Sequence, residues 1–324
     1  MEGWIICRGN RSTGENYETN RFIEESKKHN IRLKVYRPEQ IDLVVSNNDN
    51  SNVFVEGKQV KAPDFILPRI GGEETKYYTL AVTRYFEKLG IPCINSSLSI
   101  ETVKDKLFST QILAQHNIPV PKTMLINNST DINLIEKSIK FPAVVKTLSG
   151  SFGKGVYLAQ DKKSLQEIID LVEITNAGMN LLIQEYISAS HGRDLRVFVV
   201  NGRAISCMQR TSIGDEFRAN FSLGGNAKKH PLTPEIEYLA VQSAKVSGLE
   251  IAGVDLLFDK DHFKVCEINA APGFELLESS VDINIPKKIF QFIKSRYGVH
   301  EYYHSVIPTY SNIIELSKEY SSAV

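Results

Sequence analysis

The stretch from Gly253 to Glu275, GVDLLFDKDHFKVCEINAAPGFE, constrains this chain more than any other. Two apolar runs, GVDLLF and FKVCEIN, flank a polar DKDH turn, which is the pattern of a β-hairpin. Both runs carry oxygen-bearing side chains where hydrophobes are expected. Side chains alternate across a strand with period two, so Glu267 and Asn269 share one face of the return strand, and Asp255 can stand opposite them. Two carboxylates that close, in a partly buried place, cannot both stay ionised cheaply unless a cation lies between them. A donor set of oxygens, without Cys or His, suits Mg2+ or Mn2+. Mg2+ of this kind binds through one or two carboxylates together with the phosphates of a nucleotide. The plain alternative is a surface hairpin with solvated acids, and the two readings part on whether the chain also supplies something to hold phosphates.

A candidate for that role lies upstream. The strand Ala143 to Lys146 runs into Thr147-Leu148-Ser149-Gly150-Ser151-Phe152-Gly153-Lys154-Gly155-Val156, and a second strand, Val156 to Ala159, follows. A Walker A loop needs Gly-Lys followed by Ser or Thr and then a helix, whereas Lys154 is followed by Gly155 and a strand, so this is not a P-loop NTPase. Glycines spaced G-x-x-G-x-G still let backbone N–H groups approach phosphates as a flap. A hairpin turn of no function fits this segment as well. The strand Leu181 to Tyr186 ends in a polar loop, where Glu185, Tyr186 and Ile187 can offer backbone groups to an adenine edge. Strands Asp194 to Val200 and Arg203 to Arg210 then flank Asn201-Gly202, the strongest short hairpin signal in the chain.

The N-terminal part reads as a βαβ unit: strand Trp4 to Cys7, helix Tyr17 to Asn30, strand Ile31 to Tyr36. Its first turn lacks the G-x-G-x-x-G spacing of a dinucleotide fold, so it is not expected to hold the nucleotide. A polar hairpin (Asn47 to Lys61) precedes the strand Asp64 to Gly71, which puts Arg69 at a strand's carboxyl end, where open α/β sheets place ligands. A helix over Tyr77 to Leu89, a short strand Ile91 to Ile94 and one long helix Ser96 to His116, capped by Ser97 or Ser99, are expected next. The long helix contains Lys106. The segment Gly224 to His230 reads as a loop, and Pro234 to Gly248 as a helix.

Lys plus Arg and Asp plus Glu are equal at 38 each, so no long-range field favours nucleic acid or an anionic membrane, and any anion site must be local. Cys7, Cys93, Cys207 and Cys266 are scattered without a C-x-x-C pair, which fits a reducing cytoplasm. No apolar run approaches the length of a membrane span.

The motifs in their order, DFILPRIG, KDKLFSTQILAQHNIPVP, VVKTLSGSFGKGV, LLIQEYI, DLRVFVV, GDEFRAN and EINAAPGFELLESSVDI, resemble those of the RimK-like glutamate ligases of the ATP-grasp superfamily. The resemblance covers roughly Asp64 to Ile293. It implies an α/β chain: an N-terminal α/β (pre-ATP-grasp) domain over 1–94, a linker helix and central lobe over 95–190, a C-terminal ATP-grasp lobe over 191–297, and a tail over 298–324. ATP is then clamped between the last two lobes. Carried over residue by residue, Lys106 and Lys146 contact the phosphates. Gly150, Ser151, Phe152, Gly153 and Gly155 close over them, and Glu185 to Ile187 hold the adenine. Asp194 meets the ribose side, Arg218 and Asn220 lie near the γ-phosphate, and Asp255, Glu267 and Asn269 bind Mg2+ or Mn2+. The reaction implied forms an acyl phosphate from a carboxylate and ATP, after which an amine attacks to give an amide, ADP and phosphate. Ala271 departs from the family, which commonly has Ser there, and the tail beyond Tyr297 does not align.

Partners expected on this reading are ATP, glutamate or a similar amino acid, and an acceptor that is a protein, peptide or metabolite, with a homo-oligomer as the working assembly. Arg196 and Arg210 flank the Asn201-Gly202 turn and can meet at the hairpin's open end, where an Arg fork binds a substrate carboxylate bidentately. The alternative is that one of them pairs with Asp194 or Asp215 as a structural ion pair. Two rivals stand outside this class. A non-catalytic nucleotide sensor would lack a ligand or a lysine, and none is missing. His300-Glu301-Tyr302-Tyr303-His304 matches the zinc-protease pattern H-E-x-x-H, but a lone five-residue match near the chain's end reads better as a solvated helix. Ligases for other amino acids share the nucleotide machinery, so ATP chemistry is better determined than substrate.

Overall fold

The computed structural model describes residues 1–8, 17–45, 53–69, 76–127, 130–148, 155–175, 180–219 and 225–298. The N-terminal unit begins with β1 (Glu2–Cys7), α1 (Tyr17–Lys28) and β2 (Arg32–Tyr36), the expected βαβ order. A small antiparallel sheet of β3 (Ile41–Leu43), β4 (Val53–Val55) and β5 (Lys58–Val60) follows, then β6 (Phe65–Arg69) and α2 (Lys76–Lys88). β1 lies between β2 and β6, parallel to both. A parallel strand covered on both faces should read as a continuous apolar run, and Trp4, Ile5 and Ile6 are fully buried accordingly. The expected strand Ile91 to Ile94 is reduced to a single bridge between Cys93 and Ile66.

The long helix expected from Ser96 to His116 is two helices, α3 (Ser97–Lys104) and α4 (Lys106–Gln115). Asp105 divides them in an extended conformation, and its carboxylate accepts the Phe108 N–H at 2.9 Å. A short acidic side chain gains more as an N-cap than inside a helix, and that preference breaks the run. α3 is likewise capped by Ser96, whose hydroxyl accepts from Ser99 N–H, rather than by Ser97 or Ser99.

The central sheet is antiparallel, in the order β7 (Thr123–Ile126), β10 (Leu181–Glu185), β8 (Ala143–Thr147), β9 (Val156–Ala159), with α5 (Ile132–Ser138) and α6 (Lys162–Thr175) packed on it. The C-terminal sheet comprises β11 (Arg193–Val200), β12 (Arg203–Thr211), β13 (Asn226–Lys229), β14 (Ile251–Asp259) and β15 (His262–Asn269), in the order β13-β12-β11-β14-β15. The turn between β11 and β12 has φ of 48° at Asn201 and 69° at Gly202, both in the left-handed region that the Asn-Gly pair supplies cheaply. β13 replaces the expected loop by pairing with β12. The helices of this part are α7 (Pro234–Val246), α8 (Glu275–Ser280) and α9 (Ile285–Tyr297).

One face of the C-terminal sheet packs on α7 through Leu195, Val197, Val254 and Ile268. The other face shares a core with the N-terminal unit, where Phe198 and Ile251 meet Ile5, Phe22, Phe65 and Phe290. The N-terminal unit is therefore fastened to the C-terminal sheet by apolar burial. Among the described residues no helix is long and apolar enough to cross a membrane.

Asn95 fastens these parts further. It is 1% exposed; its Nδ2 donates to the carbonyls of Ile251 and Ala270, each at 2.7 Å, and its Oδ1 accepts from Glu250 and Ile251 N–H. Asn95→Ala would orphan backbone groups at both ends of the β14–β15 hairpin. A loss of about 3 kcal/mol is expected in urea denaturation. A loss below about 1 kcal/mol would show that water replaces the bracket.

Candidate active site

β14 and β15 pair with Asp255 opposite Glu267 and Gly253 opposite Asn269. Directly opposed residues of an antiparallel pair project to the same face, so the three oxygen-bearing side chains form one row, as strand alternation predicts. A bulge after Asp255 leaves Cys266 without a cross-strand partner and keeps Val265 in the α7 core while Glu267 reaches the opposite face. Glu267 is exposed, Asp255 is buried, and the buried Nδ2 of Asn269 has no hydrogen-bond partner. A buried amide with an unused N–H beside two carboxylates fits a site that a ligand completes. Among the described residues no three His, Cys, Asp or Glu side chains gather to hold a metal by themselves. A cation here would depend on Asn269 and on oxygens from a bound phosphate, which suits Mg2+.

Asp255 is also the end of a buried ladder of charges. Arg196 on β11 donates from Nε and Nη2 to its two oxygens, both at 2.7 Å. Arg210 on β12 reaches the same carboxylate at 3.0 Å and forks onto Asp194, with Nε–Oδ1 at 2.7 Å and Nη2–Oδ2 at 2.5 Å. Arg210 is 4% exposed and Asp194 9%. Arg210 thus forms with Asp194 the structural ion pair that was the alternative reading, and Arg196 forks onto Asp255, so neither guanidinium presents an open fork for a substrate carboxylate. Both oxygens of Asp194 bond Arg210, just as both oxygens of Asp255 bond Arg196. The cause is register, since Asp194 stands directly across from Arg210 and Arg196 directly across from Asp255. Burial works against the charge on Asp255, but the two guanidiniums outweigh it and hold the carboxyl below its usual range.

The central sheet contributes the lysines. The break at Asp105 places Lys106 at the first position of α4, and its Nζ lies 3.1 Å from the Thr147 carbonyl and 3.4 Å from that of Leu148. Lys146, on β8, extends to the C-terminal sheet and brings its Nζ within 3.7 Å of Cys266 Sγ. Burial pushes the Cys266 thiol up, against the pull of Lys146, so the lysine faces a neutral sulfur. Gly150, Ser151, Phe152 and Gly153 lie outside the described residues, as do Asn220 and the HEYYH segment. Gly155 closes the loop: its carbonyl accepts the Thr147 N–H at 2.9 Å, its φ is 73°, and a Cβ there would stand 2.3 Å from Thr147 Oγ1. A side chain is excluded twice over.

Family models for the RimK-like ATP-grasp domain and the RimK PreATP-grasp domain match residues 103–293 and 6–100. The chain belongs to the RimK-like ATP-grasp family. A probable alpha-L-glutamate ligase of Rhodopirellula baltica is 35% identical over 283 residues, covering 86% of this chain and 68% of that relative. One from Shewanella frigidimarina, probable alpha-L-glutamate ligase 1, is 36% identical over 279 residues, covering 86% and 91%. Among solved structures, the ATP-grasp ligase PsnB complexed with minimal precursor, Mg and ADP superposes with a TM-score of 0.69 at 16% identity, over 91% of this chain and 98% of that one. D-alanine–D-alanine ligase from Bacillus anthracis gives 0.65 at 19%, over 91% and 96%. At these identities the structures establish the fold.

In this RimK-like chain the remaining motif residues are held by local side-chain and backbone pairings. Arg218 forks onto Glu216, with Nε–Oε1 at 2.9 Å and Nη2–Oε2 at 2.8 Å, and its Nη1 lies 3.4 Å from the Val156 carbonyl at the foot of the glycine loop. Those bonds hold the Glu216 carboxyl down at about 2, against its partial burial. Glu185 ends β10; its N–H is spent on the Lys122 carbonyl at 2.8 Å, and Ile187 is buried beyond it. Arg69, at the end of β6, donates to the Pro272 carbonyl at 3.0 Å with the Phe22 and Phe274 rings under its guanidinium. It thereby steadies the loop that follows Asn269. Sequence reasoning missed Asn95, Glu216 and Lys264. Only Glu216 left a signal, an acid two residues before an arginine in a polar loop.

Proposed function

We propose that the chain is an ATP-dependent carboxylate–amine ligase that joins L-glutamate to a protein, peptide or small-molecule acceptor through an acyl phosphate. The observation that carries this reading is the approach of Lys146 from the central sheet to Cys266, the neighbour of Glu267. Cationic and oxygen-donor groups from two sheets thus face one cleft, which is what phosphoryl transfer needs, since it asks for positioning and charge neutralisation more than for a covalent nucleophile. The names of the curated relatives support glutamate as the amino acid.

Asp255, Glu267 and Asn269 would hold Mg2+ or Mn2+, which when bound neutralises charge on the transferring phosphoryl group. Lys106 and Lys146 act as point charges for phosphate oxygens. Arg218, beside the foot of the glycine loop, is assigned with Asn220 to the γ-phosphoryl group. The backbone of Tyr186 and Ile187 takes the adenine edge, because the Glu185 N–H is already bonded. A substrate carboxylate oxygen attacks the γ-phosphorus and ADP leaves. The amine nitrogen then attacks the acyl carbon, phosphate leaves with its electron pair, and the nitrogen loses a proton.

Turnover with ATP, glutamate and an acceptor pool is therefore expected to release ADP and phosphate in equal amounts, with a glutamate mass added to the acceptor. AMP and pyrophosphate as the stoichiometric products would overturn the acyl-phosphate route. Addition of a different amino acid in a competition mixture would overturn glutamate alone.

A further inference from the structure

β15 carries a charged side chain whose partner lies on the other sheet. Lys264 Nζ is 3.0 Å from Glu185 Oε2 and 3.2 Å from Asp259 Oδ2. The same Glu185 oxygen accepts the Lys122 N–H at 3.2 Å. One carboxylate therefore ties together the start of β7, the end of β10 and the C-terminal hairpin. It does so where the chain crosses from the central sheet to β11. Lys264 is 20% exposed and Glu185 41%, so the contact is partly withdrawn from water.

We propose that Lys264 is a positioning residue for the nucleotide: it pins the Glu185–Ile187 segment against the β14–β15 hairpin and so pre-forms the edge that receives the adenine. This rests on the reading of that segment as the adenine-binding one. With the Glu185 N–H committed to Lys122, base recognition falls to Tyr186 and Ile187, and their position follows from where Glu185 is held. Removing the ammonium leaves the carboxylates of Glu185 and Asp259, both within 3.2 Å of the same nitrogen, to repel each other across the two sheets. The crossing segment then has to be ordered by the nucleotide itself, which lowers affinity.

The test is equilibrium binding of ATP and of inorganic tripolyphosphate, each with Mg2+, to the full chain and to its Lys264→Met and Lys264→Arg variants. Lys264→Met is expected to weaken ATP about fivefold and tripolyphosphate less than about twofold, with Lys264→Arg restoring most of the loss. In turnover, the KM for ATP should rise more than kcat falls. Equal weakening of both probes would overturn the proposal in favour of a general structural role. Unchanged ATP affinity, in a protein that prefers ATP to tripolyphosphate, would overturn it while leaving the adenine reading intact. If the wild-type chain binds the two probes equally well, the adenine reading itself fails and the proposal with it. Should Lys264→Met not fold, Glu185→Gln breaks the same pair from the other side, and the same comparison of probes decides.

Discussion

Arg210→Met is expected to destabilise the protein by about 3–5 kcal/mol, the largest effect of any single substitution away from the hydrophobic cores. Arg210 stands between Asp194 and Asp255, and the side chains of all three are at most 13% exposed. Burial alone would lower the charge on Arg210, but Asp255 and Asp194 outweigh it and raise its pKa further. Methionine fills similar space but leaves Asp194 with no counter-ion in contact and Asp255 with Arg196 alone. Breaking a buried pair costs more than the pair ever contributed, because an uncompensated charge remains. Urea denaturation measures it, and a double variant that also carries Asp194→Asn should recover part of the loss. A change under about 1 kcal/mol would mean that water reaches these carboxylates.

Glu267→Ala is expected to lower kcat by about 10^3-fold or more while leaving the unfolding midpoint near wild type. Glu267 is exposed, and the fold makes little use of its carboxylate, so its loss falls on the proposed cation site. Asp255→Ala should abolish Mg2+-dependent turnover as well. That change also costs stability, since Arg196 and Arg210 lose their shared carboxylate. Asp255→Asn, closer in shape, is the better variant for separating the two effects. Turnover titrated with Mg2+, beside a urea curve for each variant, decides. Near-wild-type activity in Glu267→Ala would remove the metal assignment.

Strand alternation made the row of Asp255, Glu267 and Asn269 legible before any coordinates, because a period of two fixes which side chains share a face. The Asn-Gly turn, the βαβ start and the Pro234 helix were legible for the same kind of reason: each depends on backbone preferences of a few adjacent residues. The break at Asp105 was less so, since capping competes with a helical pattern that runs through it on both sides. Its consequence for function is that Lys106 begins a helix instead of lying within one.

The Arg210–Asp194 pair was legible only as an alternative, and the Arg196–Asp255 pair was not legible at all. Spacing from a turn tells how far along a strand a residue lies, but the partner of a buried charge depends on which strand comes alongside. β14 follows β11 by some fifty residues in the chain and lies next to it in the sheet. In the same way Lys264 meets Glu185, and Asn95 brackets a hairpin more than 150 residues further on. The sequence by itself determined which chemical groups share one face of the β14–β15 hairpin, because strand periodicity is a local property of the chain. The tertiary structure decided which of those groups are already spent on one another, because low-dielectric burial forces every charge to find a partner and only the packed sheets determine which partner is near.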